Sequence, residues 1–425
     1  MEFTSYWKDT ATPFAHGCKG PVEGNFDVAV VGGGFTGLAA ARALARAGVK
    51  VALFEAREVG YGASGRNGGH VNNGLAHSYL SAKAMLGEEQ AKRLYWALDS
   101  AVDAVEQVVQ EEQIDCAFRR GGKLKLASKP SHVEGLRSNF EAIHREVDPD
   151  TAFLERADLA SEVGSDRFHG AMLSRKSAMM HMGRYVAGLA YAAHRHGATL
   201  WENAPVTARR REGGRWRLTT PRGEITATDM IAATDAYTSG PFDYYRRRIV
   251  SVGAFILATR PLTPDEVARV MPGDRTCVTT MNVGNFFRLS PDKRLIWGGR
   301  ARFSTVSDQR SDAKSGHILR QALARTFPEL ANVEIDHCWG GLVGMTRDRF
   351  PRAGQEDGVW HAMGYSGHGA QMATHMGNVL AEMVLGRPDA NPMHGMRWDA
   401  FPLYSGKPWF MPVVGMYYKL KDMVS

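Results

Sequence analysis

The feature that most constrains this chain is Gly32-Gly33-Gly34-Phe35-Thr36-Gly37, set between an apolar pentad and a run of small helix-forming residues. Asp27-Val28-Ala29-Val30-Val31 reads as a short buried parallel strand. Leu38, Ala39, Ala41, Ala43, Leu44, Ala45 and Ala47 predict a helix that Gly48 ends. Val49 to Phe54 is a second apolar strand, closed by Glu55. Strand, turn, helix and strand in so short a span make a βαβ unit. In that setting GxGxxG is a dinucleotide fingerprint. Gly32 allows the tight turn, and Gly37 lets the helix lie close to the strand. Gly34, with the Phe35 and Thr36 amides beside it, brings backbone N–H groups to a pyrophosphate at the positive helix end. Glu55, 18 residues after Gly37 and followed by Ala56 and Arg57, is placed to accept hydrogen bonds from an adenosine ribose. An acid there argues against a 2′-phosphate, hence against NADP.

The fingerprint alone does not separate FAD from NAD. Glycine distribution adds to it: many of the 46 glycines fall in two further knots. Gly60 to Gly69 contains Ala63-Ser64-Gly65-Arg66-Asn67-Gly68-Gly69, a polar turn rich in donors. Lying just after the ribose acid, it is expected to run along the rest of a long cofactor, with Arg66 and Asn67 facing pyrophosphate oxygens or a flavin ring. The third knot, Gly364-Tyr365-Ser366-Gly367-His368-Gly369-Ala370-Gln371, joins a strand to a helix. A helix N-terminus stabilises the negative charge that a reduced flavin carries at its N1/C2 edge. His368 is a candidate acid or base; the alternative is a histidine that fixes the turn. His70 and Asn72, just after the second knot, either face the flavin or serve the loop.

A βαβ element thus opens the chain, and a strand, Val359–Met363, with a helix from Gly369 to Leu385 closes it. Between them the pattern predicts helices over 81–113 and 183–196 and strands at 199–202, 206–210, 216–220 and 224–232. Consecutive strands of an antiparallel sheet follow over 251–299, then a helix over 311–326 and an extended segment at 333–342. The expected fold combines α/β and α+β parts. A Rossmann-type FAD-binding domain is assembled from residues 26–96, 168–241 and 334–400. An antiparallel-sheet substrate domain, 97–167 and 242–333, is inserted, and 401–425 is a C-terminal tail. The substrate pocket is expected between the two, lined by Phe286, Phe287, Trp297 and Tyr365 unless the sheet aromatics are core residues.

Net charge is +7, which admits a nucleic-acid binder, a basic surface, or a pocket for an anionic ligand. The runs Arg209–Arg211 and Arg246–Arg248 sit in no nucleic-acid motif, and no nucleic-acid partner is expected. Cys18, Cys116, Cys277 and Cys338 make no CxxC, so neither a metal site nor a redox dithiol is expected. Residues 1–20 lack the apolar core of a signal peptide, and no stretch is long and apolar enough to span a membrane. A cytoplasmic protein is the default expectation. The apolar, aromatic tail from Pro408 to Tyr418 either touches a membrane surface or docks on the body of the protein.

Taken in order, these segments resemble the D-amino-acid-oxidase-type FAD oxidoreductases, a family with sarcosine, glycine and polyamine-conjugate oxidases, and most of all the γ-glutamylputrescine oxidase group. The matching pieces include Ser5-Tyr6-Trp7, the three glycine knots, Ala233-Thr234-Asp235-Ala236-Tyr237, Phe287-Arg288-Leu289-Ser290 and Trp339-Gly340-Gly341. The resemblance implies an extended FAD, with Val206 at the adenine, Thr234 and Tyr237 beside the FAD-binding strands, and Gly341 with Gly367 to Gln371 at the flavin. Sarcosine oxidases attach flavin to a Cys in the segment matching Gly344-Met345-Thr346; none stands here, which implies non-covalent FAD. Gln371 replaces a Lys that those oxidases hold near the substrate carboxylate, which favours an amine or polyamine conjugate over an α-amino acid.

The expected reaction is oxidation of an amine C–N bond. Hydride passes to flavin N5, the imine hydrolyses, and dioxygen or another acceptor takes the electrons. Gln371, His368 and His70 are the candidate catalytic residues. Two alternatives stand beside this reading: an amino-acid dehydrogenase passing electrons to a quinone, and a basic RNA-associated flavoprotein.

Overall fold

The computed structural model describes residues 1–304, 306 and 308–424. The opening βαβ unit forms as its residues dictate. β1 (Asn25–Val31) is buried along its apolar run and pairs in parallel with β2 (Val51–Phe54). Between them α1 (Phe35–Arg46) is almost wholly buried, which its small alanine-rich surface permits. Beyond β1 lies Gly223–Ala232, also parallel, then Val359–Met363, with Arg352–Glu356 at the edge; Thr199–Trp201 flanks β2. Strands remote in sequence thus complete one sheet.

α2 (Gly369–Val384) lies against α1, and Gly377 makes this possible. A Cβ there would stand 2.5 Å from the Thr36 carbonyl oxygen and 2.7 Å from the Ala39 methyl carbon. The two helices that open at the first and third glycine knots are therefore in backbone contact.

The second sheet has eight strands among the described residues, with Ile335–Met345 at one edge and Ala152–Glu155 at the other. It is antiparallel except where Lys123–Leu126 pairs in parallel with Thr276–Thr279. One face carries Leu124, Leu126, Phe287, Leu289 and Trp297 into a core completed by Leu319, Leu323 and Phe327. The other face, with Phe286, Arg288, Lys123 and Lys125, looks toward the first sheet's loops.

Several expectations are corrected here. Trp297 is fully buried in that core, stacked on Phe287 at 4.8 Å, and lines no pocket; Phe287 shares its fate. Their strands alternate, and the register turns both rings to the side away from the knots. Residues 170–174 and 335–345, assigned from the sequence to the nucleotide-binding segments, are strands of the second sheet. The helix over 81–113 is two, Tyr79–Leu86 and Glu88–Glu111, broken at Gly87 with φ +83°. A short helix, Pro264–Val270, opened by a Thr263/Glu266 capping box, interrupts the strands of 251–299. The tail ends in a helix, Met411–Val424, and among the described helices none is long and apolar enough to cross a membrane.

Candidate active site

The first knot is built by close backbone approach. Gly32 has φ +116°, and a Cβ on it would stand 2.5 Å from the Ala233 carbonyl oxygen. A Cβ on Gly37 would stand 1.9 Å from the Gly32 carbonyl oxygen, so only glycine seats α1 on β1. The carboxylate of Glu55 accepts the Gly33 amide at 2.7 Å and the Arg57 amide at 2.9 Å. Burial raises its pKa, and these N–H groups pull the other way. At the N-terminus of α1 the Phe35 amide donates to Ser64 Oγ at 2.9 Å, which ties the first knot to the second. Gly34, flanking it, would meet the same oxygen if it carried a Cβ.

The second knot is anchored from three sides. Ser5 Oγ donates to the Gly65 carbonyl at 2.9 Å, Trp7 Nε1 to the Asn67 carbonyl at 2.6 Å, and Trp339 Nε1 to the Arg66 carbonyl at 2.8 Å. The side chains of Arg66 and Asn67 hold the turn itself. Arg66 Nε donates to the Tyr61 carbonyl and Nη1 to the Gly340 carbonyl. Asn67 Oδ1 accepts the Gly69 amide. Gly341 faces Arg66, where a Cβ would lie 3.1 Å from the arginine's own Cβ. Ala63 begins the short 3₁₀ turn, Ala63–Gly65, that places Ser64.

Arg288 is the residue the sequence reading left without a role. It is fully buried and, among the described residues, has no carboxylate partner: Nε donates to the Gly68 carbonyl at 3.1 Å, Nη2 to the Met180 carbonyl at 2.7 Å, and the guanidinium lies 5.2 Å from the Trp7 ring centre. Burial pulls its pKa down to about 9, so it stays protonated at neutral pH. Gly69, at φ +80°, gives it room: a Cβ would sit 2.2 Å from Nη2. A cation in an otherwise apolar strand, Phe286–Leu289, was the signal available.

Asp235 is a second such residue. It sits at φ +40°, and its Oδ1 accepts the Gly364 amide at 2.7 Å. A Cβ on Gly344 would be 2.6 Å from the same oxygen, so the acid joins the second sheet to the third knot. Its neighbours Thr234 and Tyr237 lie where expected, beside the sheet. Thr234 Oγ1 is 2.8 Å from Thr238 Oγ1, and the Tyr237 hydroxyl donates to Gln309 Oε1 at 2.6 Å and accepts the Leu342 amide at 3.1 Å. Val206 is buried in the core under the first sheet.

At the third knot His368 caps α2 without using its side chain. Its Nδ1 has no hydrogen-bond partner among the described residues. Burial lowers its pKa to about 4, helped by the charges of Lys123, Lys125 and Arg349, so the imidazole is neutral at pH 7. Gly367 and Gly369 leave the turn open. Gln371 is buried and donates from Nε2 to the Asn72 carbonyl. The half-buried Phe286 meets the His70 ring edge-on at 5.4 Å.

Two candidates hold the knots together, which for His70 is the second of its two expected roles. His70 has Nδ1 3.1 Å from the Gly68 carbonyl and Nε2 3.3 Å from the Phe287 carbonyl, and burial lowers its pKa to about 3. Both ring nitrogens face backbone carbonyls, and the one N–H of the neutral ring donates to one of them, so the ring braces the knot. Tyr365, expected at the substrate, is buried; its hydroxyl donates to the Ala362 carbonyl at 3.1 Å and meets Thr36 Oγ1 at 2.7 Å. It locks the third knot to α1. Glu2, Asp9 and His337 come within ligand spacing of one another, but two of the three are exposed on the surface.

The three knots are thus tied together: Ser64 to the N-terminus of α1, Tyr365 to Thr36, and Gln371 to the Asn72 carbonyl just after the second knot. Turns that admit no Cβ at Gly32, Gly37 or Gly69, an acid beside a helix N-terminus, and an imidazole whose Nδ1 is unpartnered among the described residues suit an extended dinucleotide bearing a redox ring.

Comparison with known proteins agrees. Residues 27–383 match the family described as DAO, FAD dependent oxidoreductase. The chain is 34% identical over 379 residues to a probable oxidoreductase OrdL of Rhizobium meliloti, covering 88% of this chain and 87% of that one. It is 31% identical over 414 residues to the gamma-glutamylputrescine oxidoreductase of Escherichia coli, covering 93% and 92%. Among solved structures, glycine oxidase from Geobacillus kaustophilus superposes with a TM-score of 0.74 at 21% identity, over 88% of this chain and 98% of that one. L-proline dehydrogenase from P. horikoshii gives 0.71 at 20%, over 87% and 98%. The chain belongs to the DAO family of FAD-dependent oxidoreductases, and FAD is its cofactor.

Proposed function

We propose that this enzyme oxidises the C–N bond of an amine or polyamine conjugate. The observation that carries the reading is the pairing at the third knot of a neutral His368, Nδ1 unpartnered, with Gln371 turned to the Asn72 carbonyl. FAD, when bound, supplies the acceptor for a hydride from the carbon beside the nitrogen. The protein holds the substrate. His368 Nδ1 offers one hydrogen bond to the amine nitrogen, and Phe286 closes the site on the sheet side. Gln371 is uncharged and already donates to a backbone oxygen, so it offers no ion pair to a carboxylate next to the amine. The relative named gamma-glutamylputrescine oxidoreductase supports an amine over a hydroxy acid.

In balance, amine, water and dioxygen give aldehyde, the released nitrogen group and hydrogen peroxide. Dioxygen is the proposed acceptor. A second reading, electron transfer to a quinone, has one observation behind it: Val413, Met416, Tyr417, Leu420 and Met423 expose an apolar stripe on the terminal helix. The arginine runs favour neither a free basic stripe nor an RNA role. Arg209 Nε donates to the Pro241 carbonyl, Arg210 pairs with Glu212, and Arg248 Nε donates to the Trp398 carbonyl.

FAD is proposed to be held without a covalent bond. Cys338 sits in the core face of its strand, Sγ 3.0 Å from Ser311 Oγ, and Gly344-Met345-Thr346 carries no thiol. Acid precipitation should therefore release all the flavin.

An oxygen electrode with the purified enzyme tests the function. Amines and polyamine conjugates should consume oxygen with matching peroxide and aldehyde. Turnover by α-amino acids alone would overturn the Gln371 argument. Reduction of a quinone analogue without peroxide would replace dioxygen as acceptor.

A further inference from the structure

The terminal helix, Met411–Val424, has two faces, and the body of the protein takes up only one of them. Met411 and Gly415 are buried, and Val414, Tyr418 and Asp422 are half-buried, at the spacing of a single helical face. Met411 and Val414 join Val250 and Tyr404 in a small core. Gly415 lies on Phe303, where a Cβ would stand 2.6 Å from the Phe303 Cβ. Near the other end, Asp422 Oδ1 accepts the Asn282 amide at 2.9 Å and Asn282 Nδ2 at 2.7 Å, and Oδ2 accepts the Val283 amide at 3.0 Å. The helix is held at both ends, so the direction of its outer face is fixed.

That outer face carries Val413, Met416, Tyr417, Leu420 and Met423, each more than half exposed. Their spacing is the apolar stripe of an amphipathic helix, turned to the side where a surface helix ordinarily carries charge. Trp409, in the turn that leads into the helix, is exposed as well. So is Leu403, whose carbonyl accepts Trp409 Nε1 at 3.1 Å. Charge follows the same division. From Leu403 to Met423 the charged residues are Lys407, Lys419, Lys421 and Asp422. The one acid is the residue turned to the 282–283 amides, and the three lysines are exposed. The outer side is therefore apolar and basic, with its acid spent on the body.

We propose that this face docks the enzyme on the surface of an anionic lipid bilayer, with the apolar stripe among the acyl chains just below the headgroups and the lysines against lipid phosphates. A helix that lies in the interface needs an apolar face, a basic rim and aromatic rings with one polar end, and buries its stripe by about 5–10 Å. Tyr417 and Trp409 supply the rings, and Lys407 and Lys419 the rim. A second copy of the chain fits this face less well. Seven exposed apolar side chains fall short of the about 20–30 residues a side of a stable dimer. The copy would also bring the same lysines, and a net charge of +7, against its own. An anionic bilayer attracts both. Docking is independent of the electron acceptor and of the substrate: no stripe residue belongs to the glycine knots. Asp422 fastens the helix to the turn before the Phe286–Leu289 strand, so docking also fixes how far the sheet side of the site stands from the lipid.

The test is co-sedimentation of the full chain, loaded with FAD, with lipid vesicles. Vesicles of equimolar phosphatidylglycerol and phosphatidylcholine should pellet the enzyme. High salt, or vesicles of phosphatidylcholine alone, should leave most of it in solution. Each basic group near an anionic surface changes partition by about fivefold, so the charge reversal Lys419→Glu should weaken it by about 25-fold. Leu420→Glu puts a charge into the stripe and should weaken partition by about tenfold or more. Both positions are exposed, so thermal midpoint and bound FAD should stay as in the parent. No pelleting with the anionic vesicles, equal pelleting with phosphatidylcholine alone, or pelleting that survives Leu420→Glu would overturn the docking. So would a concentration-dependent dimer in sedimentation velocity that Leu420→Glu dissolves while vesicles leave the enzyme in solution; that result would give the face to a second copy.

Discussion

Gly377 of α2 lies against Ala39 of α1 with no room for a side chain: a Cβ at 377 would stand 2.7 Å from the Ala39 methyl carbon. The same Cβ would be 2.5 Å from the Thr36 carbonyl oxygen, and backbone cannot rotate away as a side chain can. The helices at the two ends of the cofactor line are thereby fixed relative to each other. Gly377→Val gains a little helix propensity, roughly 0.5 kcal/mol, and loses about 1–3 kcal/mol to overpacking. The loss wins. The expected outcome is a thermal midpoint several degrees lower and weaker FAD retention on gel filtration; an unchanged midpoint would mean the helices part freely.

Glu55 spends one oxygen on Gly33 and the other on Arg57, and its site at the end of β2 faces the expected ribose. Glu55→Ala should weaken FAD binding by about 10- to 100-fold, the worth of hydrogen bonds to a charged acceptor. Apoenzyme titrated with FAD, followed by quenching of flavin fluorescence, gives the constant. Equal affinity in the two proteins would place the ribose elsewhere.

Acid should destabilise the protein well above the carboxylate range. His181 and His361 are buried, each with its pKa lowered to about 4, and His70 and His368 behave alike. Between about pH 4 and 6.5 the unfolded chain binds protons at these sites and the folded chain does not. Their stabilisation is therefore complete above 6.5 and is lost as pH falls, by up to about 1.4 kcal/mol per pH unit for each. Glu55 and Asp235, raised by burial, work in the opposite sense: they destabilise the fold above their carboxyl range and less so in acid. The lowered imidazoles, His375 among them, outnumber the raised carboxyls Glu55, Asp235 and Asp148. Thermal midpoints measured from pH 7.5 to 5 should fall, and His181→Gln should flatten the slope. A flat profile in the parent enzyme would show that these rings are protonated in the fold.

What the sequence revealed divides by distance along the chain. The βαβ unit and its glycines were legible because strand, turn, helix and acid lie within a few dozen residues and each obeys a local rule. Arg288 and Lys125 were not. Their surroundings come from segments remote in sequence, the Gly68 and Met180 carbonyls for Arg288 and the Thr276–Thr279 strand for Lys125. Trp297 failed for the same reason: alternation gave it two possible faces, and pairing with Phe287 chose the core. Arg66 and Asn67 were placed in the right turn, and local backbone carbonyls take up donors of both. Gly87 broke a helix whose propensity was good on both sides.

The most direct test of the central claim is an anaerobic titration of the FAD-loaded enzyme with an amine, followed by absorbance of the bound flavin. The account predicts full bleaching with one equivalent of an amine or polyamine conjugate, and none with an α-amino acid of similar size. An oxidised flavin spectrum that no amine alters, or bleaching by α-amino acids alone, would contradict it.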